Sequence, residues 1–226
     1  MTAGLQGLYY CTERYNRREM TTGLRERKKQ QTHQAIHRAA MRLFAERGFE
    51  ATTIAHIAAA ADISPRTFFS YFASKEEAVF PKVEEAFADF DRAMRERPPG
   101  TTALEALREW LTSTARKYMG DIEDAKLESR LRRESPAVAA CDLQHQRRFE
   151  RRLAEAVADD FGEPVDALRP RLVAAASVAA LQASSAKAET VLEHDPEAAA
   201  ALMADPVAFL DDAMRFLEGG LAALRS

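Results

Sequence analysis

Ser64-Pro65-Arg66-Thr67-Phe68-Phe69-Ser70-Tyr71-Phe72-Ala73-Ser74-Lys75 reads as a short helix with one side fixed and the other presented. The Ser64 hydroxyl suits an N-cap, where it accepts from an otherwise orphan backbone N–H. Pro65 falls at the first helical position, where its fixed φ and missing N–H cost nothing. At 100° per residue Pro65, Phe68, Phe69 and Phe72 share a side, which the spacing assigns to a core. Arg66, Thr67, Ser70 and Tyr71 point the other way. That outer face suits contact with base edges and phosphates. On these residues alone, a surface helix capping a core fits equally well.

The neighbouring sequence favours the first reading. Arg25, Arg27, Lys28, Lys29, Arg38, Arg42 and Arg47 crowd the stretch just upstream, while the last third is acidic and the whole chain carries only −3. A basic end on an acidic body is the charge pattern of a nucleic-acid module joined to something else. The 226 residues, 46% hydrophobic with 9 Gly and 9 Pro, provide for a sizeable core, and the alanine-rich runs with few β-branched clusters indicate an all-α protein.

Helical periodicity divides the first part. Arg27 to Arg47 makes a first helix with Ile36, Ala40, Leu43 and Phe44 inward, closed by Gly48 and by Phe49 folding back. Thr52 or Thr53 caps a second helix whose apolar face is Ile54, Ile57, Ala58 and Ala61. The small alanines let it cross the next helix closely, as a helix-turn-helix requires. Ser74 and Glu77 then form a capping-box start for a fourth helix.

This run resembles the N-terminal domain of the tetracycline-repressor (TetR) family of transcription regulators. The residues carrying the resemblance are Ala39 to Phe44, Gly48-Phe49, Thr52-Thr53-Ile54, Ile57-Ala58, Ile63-Ser64, and Phe68 through Phe72-Ala73-Ser74-Lys75-Glu76. It implies a homodimer that places two recognition helices in successive major grooves of a palindromic double-stranded operator. Thr53 is then expected on a phosphate at the second helix N-terminus. Ser64, Pro65, Arg66, Thr67, Phe69, Ser70 and Tyr71 are expected at the DNA, with Arg66 taking guanine O6 and N7. Lys75 is the expected phosphate clamp. Three positions depart from the family: Phe69 replaces a common phosphate-binding Tyr, Ser70 an aromatic, and Tyr71 a frequent His. Any borrowed operator sequence is therefore unsafe.

The expected organisation is a leader over residues 1–23, a DNA-binding domain over 24–74, and an effector-binding and dimerisation domain over 75–226. The leader, with Leu8-Tyr9-Tyr10 but no usable periodicity, reads as a disordered tail or a misassigned start ahead of Met20. In the second half, a fourth helix from Lys75 to about Arg97 carries Val79, Val83, Phe87, Phe90 and Met94, and Pro81 inside it should kink it. Helices follow over about 102–119, 124–134, 136–161, 166–193 and 206–224. The family resemblance implies a four-helix dimer interface from the last two and an effector pocket among the others. The alanine-rich penultimate helix resembles actinobacterial members, some of which respond to acyl thioesters, and so implies a small lipophilic effector. Phe87, Phe90, Trp110 and Tyr118 are candidates for that pocket, as are Leu131, Cys141, His145 and Phe149; plain core is the alternative for the aromatics.

Other signals carry less. His33 and His37 have metalloprotease spacing without the glutamate base, and Cys141/His145 is an isolated pair on an apolar face, so no metal site is expected. Arg130, Arg132, Arg133, Arg147, Arg148, Arg151 and Arg152 are expected mostly as solvated faces paired with nearby Glu, with a minority free to receive an effector's phosphate or carboxylate. Cys11 and Cys141 form no CxxC, no run of about 20 apolar residues exists, and no signal segment opens the chain, so a cytosolic protein is the default. No phosphate loop or nucleophile elbow points to an enzyme, and no cofactor is expected. The expected function is a ligand-responsive regulator, a repressor released from its operator by effector. Its rivals are an activator or global DNA binder, and a small-molecule binding or enzymatic protein of the same fold without operator binding.

Overall fold

The computed structural model describes the backbone of residues 6–118, 122–205 and 207–225, and their side chains except those of 6–24, 26, 115, 116, 118, 203, 209 and 225. All regular secondary structure among the described residues is helical, without a strand. The chain forms two compact units, Met1–Pro81 and Lys82–Ser226.

The first unit holds α1 (Gln6–Arg47), α2 (Ile54–Ala60), α3 (Pro65–Phe68) and a 3-10 turn (Glu77–Val79). Helix α1 starts well before the Arg27 expected, inside the segment assigned to a disordered leader. No proline interrupts residues 6–47, and Arg, Glu and Met there are good helix formers, so polarity without periodicity misled the reading. Ile36, Ala40, Phe44, Ile57, Ala58 and Phe68 are at most 1% exposed and form the centre. Gly48 takes φ +80, which lets the chain reverse so that the Phe49 ring packs back on Phe44, tilted, with centroids 4.9 Å apart.

The boundary falls at Pro81 rather than at 74/75. The expected fourth helix is not continuous: Ser74 Oγ accepts from the Glu77 N–H, but only a 3-10 turn follows before Phe80 and Pro81 break the chain. Ala78, Val79 and Phe80 are buried, and the turn packs on α1, where His37 Nδ1 meets the Ala78 carbonyl at 2.9 Å. Pro81 thus separates two elements and kinks neither. Its ring and missing N–H forbid the backbone bond that would have joined them.

The second unit contains α4 (Val83–Glu96), α5 (Ala103–Tyr118), α6 (Ile122–Glu134), α7 (Pro136–Phe161), α8 (Leu168–His194), α9 (Pro196–Ala204) and α10 (Asp211–Arg225), with a 3-10 turn at Ala208–Leu210. Helix α9 was not expected; Asp195 caps it by accepting from the Ala198 N–H, and Pro196 occupies its first position. Phe90, Leu104, Leu107, Leu153, Val157 and Met214 tie α4, α5, α7 and α10 into one core. Burying side chains of this size stabilises by roughly 1.5–3 kcal/mol each. Gly162 at φ +63 ends α7 in a left-handed cap. Among the described residues no helix is long and apolar enough to cross a membrane.

Candidate nucleic-acid interface and effector-binding half

Two helix starts carry the polar side chains of the first unit. At α2 the N-cap is Thr53, not Thr52. Thr53 Oγ1 accepts from the His56 N–H at 3.2 Å, and the Thr53 N–H donates to His56 Nδ1 at 3.3 Å. This reciprocal box was missed in the sequence because His stands where Glu or Gln usually marks it. Thr52 is fully buried, its hydroxyl donating to the Gly48 carbonyl at 2.8 Å. At α3 the Ser64 hydroxyl accepts from the Thr67 N–H at 3.0 Å and lies 2.8 Å from Thr67 Oγ1, while Pro65 sits at the helix start as expected.

Phe68 and Phe72 anchor this segment, with His33 stacked on Phe72 at 4.3 Å. His33 and His37 are therefore occupied in packing and in the Ala78 contact. Phe69 overturns the facing read from the spacing. The helix ends at Phe68, so the Phe69 ring turns outward, 57% exposed and edge-on to Phe68. Pro65 is exposed as well. Thr53, Ser64, Arg66 and Ser70 are exposed, while Thr67 and Tyr71 are half-buried. The structure thus brings the α3 candidates onto one short presented segment, where the Ser70 hydroxyl donates to the Arg66 carbonyl at 3.5 Å. On α1, Arg25, Arg27, Lys28, Lys29, Arg38 and Arg42 are exposed, a basic surface in the same unit. Lys75 is the exception among the candidates: its ammonium is turned onto the protein's own carbonyls of Phe49 and Thr52.

In the second unit Phe90, Trp110 and Phe149 form a three-ring cluster. Phe90 lies 5.4 Å from Trp110 at 80° and 5.0 Å from Phe149, and Trp110 and Phe149 stack at 6.2 Å. Phe87 is buried beneath Arg148 and Arg152, whose guanidinium carbons stand 4.4 and 4.9 Å from its ring centroid. Leu131, Cys141 and His145 are buried, with Cys141 Sγ 3.9 Å from His145 Nε2. The Tyr118 side chain lies outside the described residues.

Arg130, Arg133, Arg147 and Arg151 are exposed, as expected, but Arg132, Arg133, Arg148 and Arg152 find partners on another helix. Arg148 grips Glu84 with two nitrogens at 2.6 and 3.1 Å, and Arg152 pairs with Asp91, so α7 is bound to α4 twice. Arg132 reaches Glu189 and Arg133 reaches Glu193 on α8. Helices packed side by side bring these partners nearer than their i+4 neighbours, which a linear reading cannot see. Arg132 also keeps an expected partner, Glu128 at 2.6 Å. Arg148 holds the Glu84 carboxyl below its ordinary range by hydrogen bonding, against the push of burial. At Glu128 burial wins over the attraction of Arg132, with Asp142 adding to the rise, and the carboxyl lies above its ordinary range.

Residues 36–79 match the family of bacterial regulatory proteins named for TetR, and residues 101–222 match the MftR C-terminal domain. The HTH-type transcriptional regulator TcmR of Streptomyces glaucescens is 34% identical over 164 residues, 68% of this chain and 71% of that protein. Thermus thermophilus FadR, a TetR-family repressor crystallised with lauroyl-CoA, shares the fold. Its TM-score is 0.51 at 22% identity, over 82% of this chain and 92% of that one. The SmeT–triclosan complex does likewise, at a TM-score of 0.53 and 18% identity, over 81% of this chain and 90% of that one. With a helix-turn-helix unit and an all-helical second unit each matched by its own family description, the chain belongs to the TetR family of DNA-binding transcriptional regulators.

Proposed function

We propose that this protein is a homodimeric repressor that reads a palindromic operator through α3 and releases it when a small lipophilic effector enters the second unit. The observation that carries the reading is the α3 segment itself, in which buried Phe68 and Phe72 hold exposed Arg66, Phe69 and Ser70 outward. Arg66 is assigned to guanine and Thr53 to a phosphate beside the α2 cap. Dimerisation is assigned to α8 and α10, which pack side by side. Leu168 is 78% exposed, Leu172 49% and Phe216 72%, beside exposed Ala175, Ala179 and Gly220. Such uncovered apolar residues on paired helices fit a second copy of the same face.

Effector binding is assigned to the region of Phe87, Phe90, Trp110, Leu131, Cys141, His145 and Phe149. The lauroyl chain of the lauroyl-CoA held by FadR and the triclosan held by SmeT are apolar, which supports the lipophilic class. Effector releases DNA only to the extent that it prefers the conformation DNA disfavours. The protein is read as non-enzymatic and as acting in the cytoplasm, where the operator is.

The test is titration at fixed salt onto DNA upstream of the protein's own gene, with excess non-specific competitor and Arg66→Ala alongside. Saturable binding of one dimer per site, weakened in the variant and relieved by lauroyl-CoA, supports the whole reading. Relief by neither lauroyl-CoA nor triclosan removes the lipophilic assignment. Binding equal to that of the variant and erased by competitor removes the operator reading.

A further inference from the structure

Lys75 leaves the recognition segment and points back into its own unit. Its Nζ donates to the Phe49 carbonyl at 2.8 Å and to the Thr52 carbonyl at 3.1 Å. The same ammonium lies 4.1 Å from the centroid of the Phe49 ring. A lysine has three N–H donors, and charged donors make the stronger hydrogen bonds. Phe49 and Thr52 span the turn between α1 and α2, and the next residue, Thr53, is the N-cap of α2. One side chain therefore spans from the segment following α3 to the start of α2.

We propose that Lys75 is a positioning residue, a buckle that sets the α2 N-terminus and Thr53 relative to α3, and not a cation spent on a DNA phosphate. The inference rests on the DNA-binding reading of this unit and deepens it. Around the turn the Thr52 hydroxyl donates to the Gly48 carbonyl, and the Thr52 carbonyl accepts from the Lys75 ammonium. Two of the three Lys75 protons serve the fold, and the ring of Phe49 covers a further part of the charge.

Salt dependence separates a buckle from a clamp, because each phosphate neutralised by a cation adds about 0.9 to the slope of log affinity against log salt. The probe is a duplex selected from a random pool by the unaltered protein; failure to select any duplex defeats the DNA-binding reading itself. Affinity is then measured across salt for the unaltered chain, Lys75→Met and Lys75→Gln, each with and without Thr53→Val. Cooperative melting checks that each variant folds, and the milder Gln variant decides if Met does not. The expected result is a loss of about tenfold for Met, an unchanged slope, and partial recovery by Gln, which is uncharged but can still donate to a carbonyl. Thr53→Val should cost less in the Met background than alone. A slope lowered by roughly 2 for the dimer in both variants would overturn the proposal in favour of a phosphate clamp. Unchanged affinity in either folded variant, or a Thr53→Val cost unaffected by Lys75→Met, would overturn it as well.

Discussion

Phe69 stands edge-on to Phe68, ring centroids 5.7 Å apart and planes at 89°, yet Phe68 is fully buried and Phe69 is 57% exposed. The first ring is the anchor of α3 and supports the second from beneath. An exposed phenyl between Arg66 and Ser70 adds no hydrogen bond to a DNA surface. In the major groove the apolar feature it can meet is the thymine C5-methyl group.

Replacing operator thymines singly with deoxyuridine removes that methyl and nothing else. One position per half-site should lose about fourfold in affinity, the worth of one buried methyl at roughly 0.8 kcal/mol. Phe69→Ala should bind more weakly and be indifferent at that position. Uniform indifference of the unaltered protein to every replacement would count against base contact by Phe69.

Arg66 is exposed, and its neighbour Pro65 starts the helix, so truncating it leaves the fold intact. Arg66→Ala should melt like the parent and lose roughly 1–3 kcal/mol per half-site, with preference relaxed at one guanine. A loss spread evenly over all sequences would reassign Arg66 to phosphate.

The α8–α10 surface predicts the oligomeric state. Phe216→Glu places a charge on a residue that is 72% exposed in the single chain, so the monomer's own packing should tolerate it. If that face joins two copies, sedimentation should show a shift from dimer to monomer, with operator affinity falling steeply. A dimer unaffected by Phe216→Glu and by Leu172→Glu would place the interface elsewhere.

The sequence was most legible where local rules suffice. Ser64 and Pro65 act at a helix start and Gly48 closes a helix, because caps depend on a few adjacent atoms. The core face of α4 followed from 3.6-residue spacing for the same reason. Phe69 failed because a helix four residues long has no stable face beyond its end, so periodicity gave the wrong side. Pro81 failed because a buried 3-10 turn on α1 competes with helix continuation, and that contact is tertiary. Lys75 and Arg148 find their partners 26 and 64 residues away, which no spacing rule reaches.

The Arg148–Glu84 pair sets a pH dependence. Its carboxyl is held low in the folded chain, chiefly by the Arg148 hydrogen bond. A lowered folded-state pKa contributes stability that is fully present above the unfolded value, about 4.3, and is lost as pH falls through the folded one. Glu84 is 74% exposed, so the contribution should stay below about 1 kcal/mol. The parent should melt slightly above Glu84→Gln at pH 7, and the gap should close on acidification below the ordinary glutamate range. A gap that widens there would mean that the Glu84 carboxyl is not held low in the folded chain.

Asp160 predicts the largest single loss. It is 5% exposed, accepts from Arg97 at 2.9 Å and from the Ala103 N–H at 2.7 Å, and so binds the end of α4 and the start of α5 to α7. Asp160→Ala leaves a guanidinium that is only 15% exposed with the Ala156 carbonyl but without its counter-charge, and takes the acceptor from a helix-start N–H. Removing one partner of a buried pair costs about 3–5 kcal/mol. Asp160→Asn keeps an acceptor and should cost less. Trp110, the one tryptophan of the chain, packs on the same core and reports this unit's unfolding by its fluorescence. In urea the midpoint should fall far for Ala and about half as far for Asn. Equal midpoints for the parent and Asp160→Ala would mean that Asp160 contributes nothing to holding α4 and α5 on α7.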